Sequence, residues 1–453
     1  MRIWARALPI AAAVLLAGCS HAPAGPARPS RPPSGPQLGA VMPAPGPSRP
    51  PGCPPGRPQA SPDLPVAAAR SLGPGAVHLQ KLPGQPFSVV ASGRWAFAAL
   101  TSAVGVLHAD AAGQWSLVRT LRGLPGVARS EALGETLTPD GHYLLVAGNH
   151  GALVISVARA ESGDPDPAVG TLSDPYASGG IEVAVSRDGR YAFVSMENSQ
   201  AIAVFRLHQA LTSGFGPGDL AGQIPTGLAP VGLAVSPDGK WLYATSELAP
   251  VASPAKPQPA PAGSPAPVGP SASPSTPAPA PSSGPAAPAY SGGSVQVMSM
   301  ARAETSPATS VMAAVLAGCG PVRVVVSASG TVLWVTARES NAVVAISADR
   351  LRSDPRQALI GWLRVGESPV GLALTGDGSR LVVADSNRFL APGRSASLAV
   401  ISTAAALAGR PALLGFLPSG LFPRDVSVDG RGQLLVANYE SSQLETVQGA
   451  DLP

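Results

Sequence analysis

Three ionisable residues stand at one register of a recurring phrase. Glu182, Arg323 and Asp425 each lie seven residues before a glycine that closes a short turn: Gly189, Gly330 and Gly432. Two carboxylates and a guanidinium at one level can hold a polar ligand through charge-assisted hydrogen bonds, or can satisfy one another and trapped water. Arg424 and Glu135 lie one position away and can join them. The other copies carry Pro86, Gly134, Gly232 and Gly371 at this register. Glycine there would leave room for a ligand. The candidate binding set is therefore Glu182, Arg323, Asp425 and Arg424.

Other chemistry is sparse. The chain has no H-E-x-x-H, C-x-x-C, G-x-S-x-G or phosphate-loop motif. His142 sits in a turn where sister phrases carry Lys or Arg and reads as surface. His150 follows Asn149 in a loop and is the one histidine placed for acid–base work; a solvated loop histidine is the competing reading. Asn149, Asn198, Asn387 and Asn438 recur with the phrase, which marks them as turn or capping devices. No metal site, no cofactor and no assignable catalytic residue emerges.

The phrase that sets this register reads LAVSPDGKWLYATS at Leu233–Ser246. Its turn glycines are Gly93, Gly141, Gly189, Gly239, Gly330, Gly378 and either Gly430 or Gly432. Five of the six gaps between successive phrases are nearly even. The single long gap, Gly239 to Gly330, contains a Pro/Ala/Ser tract at about 250–290. In each unit a short apolar run, an Asp-Gly hairpin and a return run precede two further strand-like stretches, such as Ile202–Phe205 and Leu220–Ile224. Four antiparallel strands make one blade, and a blade that is apolar on both faces must be covered by neighbours. The expectation is an all-β, seven-bladed β-propeller. The chain offers a strand-like piece, Val77–Leu82, before its first phrase, and only three strands for its seventh. That piece should supply the outer strand of the last blade.

Phrases of the form P-x-x-L-A-V-S-x-D-G-x-x-L-Y-V-x-N resemble the YVTN β-propeller repeat family. Pro230 through Ser246 and Pro369 through Asn387 match best, and Phe422 through Tyr439 is also similar. Ser92 and Ser329 replace the turn Asp, and the seventh turn is shifted. The resemblance implies the fold and an extracytoplasmic bacterial setting; relatives of such propellers include lactonases and surface-layer proteins.

The ends suit that setting. Arg2, Arg6 and the apolar run Ala7–Ala17 read as a signal peptide, 1–18. Leu16-Ala17-Gly18-Cys19 resembles a bacterial lipobox, in which Cys19 would carry the lipid anchor. Residues 19–65 are rich in Pro, Ala and Gly and read as a disordered linker, with the propeller at 66–453. From Val66 onward 25 basic residues face 26 acidic ones, a net of −1, which argues against nucleic-acid binding. Cys53 and Cys319 could form a disulfide outside the cytoplasm or remain free thiols.

The expected function is a membrane-anchored, extracytoplasmic binding or scaffold module. Its channel mouth would meet a small polar ligand, a cell-wall or other envelope polymer, or a protein partner. The alternative is a lactonase-like hydrolase in the same mouth. An enzyme predicts ionisable residues clustered on a few blades; a scaffold predicts a neutral mouth with apolar patches at its rim. The tract at 250–290 and a smaller insertion, Arg388–Ser395, should both emerge on the mouth face.

Overall fold

Four runs of six or so residues per repeat alternate with turns, and the inner runs are apolar enough to be buried on both sides. In the computed structural model these runs are strands. The residues described are 77–126, 133–249, 292–388, 395–449 and 452. All fall in the second of the chain's two units, Gly46–Pro453; the first, Met1–Pro45, lies outside them. The expected signal peptide, the lipid-bearing Cys19, the linker with Cys53 and the tract at 250–290 also lie outside the described residues. Cys319 is disulfide-bonded. Among the described residues no helix is long and apolar enough to cross a membrane.

Seven four-stranded antiparallel sheets form the blades. Their innermost strands are Pro86–Ser92, Glu135–Leu137, Gly180–Val185, Leu228–Val235, Pro321–Val326, Pro369–Leu374 and Pro423–Val428. Each meets the innermost strand of the next blade, and the seventh meets the first, so the ring is closed. In blade 7, Pro423–Val428, Leu434–Asn438 and Gln443–Val447 are completed by His78–Lys81 from the N-terminal end. His78 pairs with Thr446 and Lys81 with Gln443. The expected closure is therefore observed.

The core is not central. It is divided into seven apolar layers, one per interface between neighbouring blades. Leu145 and Val154 of blade 2 pack with Val194 and Phe205 of blade 3 in one layer; Trp334 of blade 5 packs with Leu381 and Val383 of blade 6 in another. The seventh layer joins Leu435 and Leu444 of blade 7 to Val89 and Leu107 of blade 1. Second strands lie deepest: every residue of Val332–Ala337 is buried. Outer strands alternate instead, as in Val311–Leu316, since one face meets water.

Short helices follow the third strand in blades 2 to 6, for example Val157–Ser162 and Ala348–Ser353. They were not expected. Each buries two residues three apart, such as Ala348 and Leu351, and three of them are capped by the hydroxyl of a preceding serine: Ser156, Ser347 and Ser402.

The hairpin turns share one chemistry. A Ser or Thr three residues before the turn glycine donates to the turn Asp at 2.5–2.6 Å, in Thr138–Asp140, Ser186–Asp188, Ser236–Asp238 and Thr375–Asp377. The glycine takes positive φ, and in the seventh turn it is Gly432 (φ 80°), not Gly430. There Asp429 replaces the hydroxyl residue and itself accepts from the amides of Arg431 and Gln433, both at 2.8 Å.

Candidate functional site: the channel mouth

Six of the seven innermost strands begin with a bulge; Glu135–Leu137 of blade 2 pairs in register. The register slips between Pro86 and Ser88, Gly180 and Val183, Pro230 and Leu233, Pro321 and Val324, Pro369 and Leu372, and Pro423 and Asp425. The residues skipped are Phe87, Ile181-Glu182, Val231-Gly232, Val322-Arg323, Val370-Gly371 and Arg424. A bulge re-aims side chains and leaves an amide without its ladder partner. In blades 3, 4 and 5 a hydroxyl on the adjacent strand repairs this. The amides of Glu182, Gly232 and Arg323 donate to Ser195, Thr245 and Thr336 at 3.1, 2.8 and 3.0 Å. Those hydroxyls donate onward to the carbonyls of Val231, Val322 and Val370 in the next blade, at 2.9, 2.7 and 2.7 Å. The bulge thus stitches neighbouring blades and aims the site residues in one stroke.

The glycines at this register do not leave ligand space, contrary to expectation. A Cβ on Gly134 would lie 2.6 Å from the Ile181 carbonyl oxygen, one on Gly232 2.3 Å from that of Val322, and one on Gly371 2.6 Å from the Asp425 Cα. Close approach of the neighbouring strand is what requires glycine there.

Of the expected residues, Glu182 and Arg323 come together across blade 4 as an ion pair. Asp425 is held near Arg323 and accepts from the Val89 amide of blade 1 at 3.2 Å. Burial pushes its carboxyl up, and Arg323 opposes the shift. Glu135 reaches from blade 2 to the Ala99 amide at 3.0 Å. These groups mostly satisfy one another or the backbone. Arg424 does not.

Arg424 lies over the Phe87 ring, its guanidinium carbon 3.7 Å from the ring centroid, and 5.8 Å from that of Phe422. Arg323 approaches the Phe87 ring at 5.9 Å and Arg388 the Phe422 ring at 6.0 Å. Three cations and two aromatic rings therefore alternate across blades 5, 1, 7 and 6. Among the described residues no carboxylate is within ion-pairing distance of Arg424, and its Nε is enclosed without a hydrogen-bond partner. Burial, then Arg323, Arg388 and Arg338, push its pKa down to about 9, so it stays charged at neutral pH.

Sequence reasoning missed the tier beside it. Glu197, Glu247 and Arg338 each lie eight residues after a turn glycine, at the end of the second strand. Arg338 is buried and pairs with Glu247 at 2.8 Å and Glu339 at 3.7 Å. Burial raises the Glu197 carboxyl, helped by Glu247 and opposed by Arg338, Arg424 and Arg388. The signal was a second shared offset, the one where Asn149 stands in blade 2. Val231, Val322, Val370 and Phe422 form an apolar cluster, with Ile181 and Tyr439 packed against it. On the loops entering the innermost strands, Tyr176 and Leu421 are exposed, at 86% and 62%. The mouth is thus charged and aromatic at its centre with apolar points at its rim.

Among the described residues His150 meets no carboxylate; its Nδ1 is 2.6 Å from the Ala177 carbonyl oxygen, which pins a loop. Among the described residues no three His, Cys, Asp or Glu side chains gather as metal ligands would.

No known protein family matches the chain, and no curated protein does. Among solved structures the chain is similar to hydrazine synthase of Kuenenia stuttgartiensis. The TM-score is 0.55 at 15% identity, over 81% of this chain and 96% of that one. The likeness is one of fold. Matching solved chains number 1275, too many for the β-propeller fold to select an activity. The resemblance to the YVTN repeats continues to rest on the repeat phrase itself.

Proposed function

We propose that this propeller is a binding module, tethered to a membrane outside the cytoplasm, whose channel mouth receives a polar ligand, an envelope polymer or a protein partner. One observation carries the reading: Phe87, Arg323, Arg338, Arg388, Phe422 and Arg424 converge at one mouth although they come from four blades. Convergent charge on rigid strands is what a recognition site needs, and a purely architectural ring does not. Glu182 and Asp425 form the floor by fixing Arg323. The tether rests on Cys19 and the apolar run before it. Lipidation of Cys19 would leave Cys53 as the proposed partner of Cys319. Labelling cells with a palmitate analogue tests the anchor: the label should be lost in Cys19→Ala, with the protein released to the soluble fraction. Co-sedimentation with isolated cell-wall polymer tests the mouth: wild type should pellet and Arg338→Gln should not.

A lactonase-like hydrolase is the second reading, favoured by Glu197. This half-buried carboxyl has a raised pKa beside a second carboxylate, Glu247, as a general acid or base requires. Turnover of simple lactones that vanishes in Glu197→Gln would replace the binding reading. Unchanged background hydrolysis in both proteins would retire the enzyme.

A further inference from the structure

Among the described residues Arg424 has no carboxylate at ion-pairing distance and no hydrogen-bond partner; Glu197 and Asp425 act on it only from farther away. Arg323 has Glu182, and Arg338 has Glu247 and Glu339. Arg388 feels both Glu247 and Glu197. Arg424 instead is stacked on one face by Phe87, has Phe422 beside it, and is surrounded by the like charges of Arg323, Arg388 and Arg338. Removing a guanidinium from water and placing it among other cations is costly unless something compensates. Stacking on a phenyl ring returns only a part of that cost. A residue chosen for stability alone would not be arginine at this place. A guanidinium held against a ring on one face keeps N–H donors at its edge for a planar or tetrahedral oxyanion; in Arg424 the Nε is enclosed, which leaves the two terminal nitrogens for that role.

We infer that Arg424, stacked on Phe87, receives an oxyanion of the ligand, a carboxylate or a phosphate, at the channel mouth. The inference rests on reading the mouth as a binding site and adds the charge of what is bound. Arg388 and Arg323, at the far ends of the Arg–Phe alternation, supply the surrounding positive field. The buried apolar cluster of Val231, Val322 and Val370 backs Phe422 and holds its ring in place beside Arg424.

The test uses the full chain at low ionic strength and pH 7, with inorganic phosphate, glucuronate and glucose as probes in calorimetry and thermal melting. Phosphate would represent the phosphate source, glucuronate the carboxylate source, and glucose a neutral ligand of similar size to glucuronate. At least one oxyanion should bind and raise the melting temperature, and Arg424→Gln should weaken that binding tenfold or more. Arg424→Lys, which keeps the charge and loses the guanidinium, should weaken it several-fold. Arg187→Gln, an exposed arginine on the turn face, should change nothing. Without ligand, Arg424→Gln should melt no lower than wild type, which a merely structural arginine would not permit. Equal oxyanion binding by wild type and Arg424→Gln would overturn the inference, as would failure of both oxyanions to bind wild type. If glucose alone binds and loses affinity in Arg338→Gln, the mouth remains a binding site and only its proposed charge preference falls.

Discussion

Glu135 and Asp425 are carboxylates that reach across to the backbone of blade 1, and neither has a full ion pair. Glu135 is 4% exposed, and its Oε2 is enclosed without a hydrogen-bond partner. Burial drives its pKa well above the ordinary value of 4.5; the Ala99 amide opposes this, and the Asp425 charge adds to it. A carboxyl raised in this way contributes fully to stability below about pH 4.5, where it is protonated in both states. That contribution is lost as pH rises through its folded value. Glu135→Gln keeps an acceptor for Ala99 and cannot ionise. It should therefore stabilise the protein by about 1–3 kcal/mol near pH 8, with the gain shrinking to nothing toward pH 4. Urea melts at the two pH values measure it; a gain that is equal at both would show that ionisation is not the cause.

At the scale of the element, the turn is the unit that repeats and its chemistry can be transplanted. The turn carboxylates Asp140, Asp238 and Asp377 are held below the usual range chiefly by the hydroxyl three residues before the glycine, Asp377 at about 2. Blade 5 has the hydroxyl, Ser327, but places Ser329 where the carboxylate belongs. Ser329→Asp should accept from Ser327 and from the Thr331 amide, raising the melting temperature by on the order of 1–2 °C at pH 7. A lowered folded pKa means this gain exists above about pH 4 and disappears as pH falls toward about 2. A loss of stability at pH 7 would show that the turn backbone of blade 5 differs from its sisters. These turns were legible in the sequence because Asp-Gly preceded by a Ser or Thr takes one local geometry in blades 2, 3, 4 and 6. The rim helices were not legible, since five to seven residues with two buried positions three apart give too short a period to read. The equal offset of Glu182, Arg323 and Asp425 was legible too, but which of them would spend their charge on one another depends on distances across blades. The glycines of the same register were misread for a like reason: what fills the space beside Gly232 and Gly371 is the backbone of a different blade.

The whole molecule depends on closing a ring whose core is distributed over seven interfaces rather than concentrated at the centre. An open array of blades would leave two apolar faces in water, and no other element among the described residues could cover them. The closing strand His78–Lys81 therefore has more effect than its four mostly exposed residues suggest. Its outer position gives blade 7 the edge hydrogen bonds from His78 to Lys81, and the chain then turns through Leu82, whose amide donates to the Ser442 carbonyl at 2.9 Å. Leu82 is 3% exposed and belongs to the apolar layer that joins blade 7 to blade 1. Leu82→Ala should cost about 2–4 kcal/mol, as a core leucine does, while Leu316→Ala on an exposed outer strand should cost little. Removing residues 77–82 should go further, lowering the melting temperature sharply and broadening the transition, because blade 7 loses its fourth strand and the interface with blade 1 opens together. If the shortened chain melted at the parent temperature with the same sharpness, the first and seventh blades would be holding one another without the N-terminal strand. The mouth is tied to the same closure: Phe87 lies in blade 1 and Arg424 in blade 7, on either side of the seam. A ring that opens there should lose the stacked arginine and its ligand before the distant blades unfold, so ligand binding in the shortened chain should fail at a lower temperature than the sheet signal in circular dichroism.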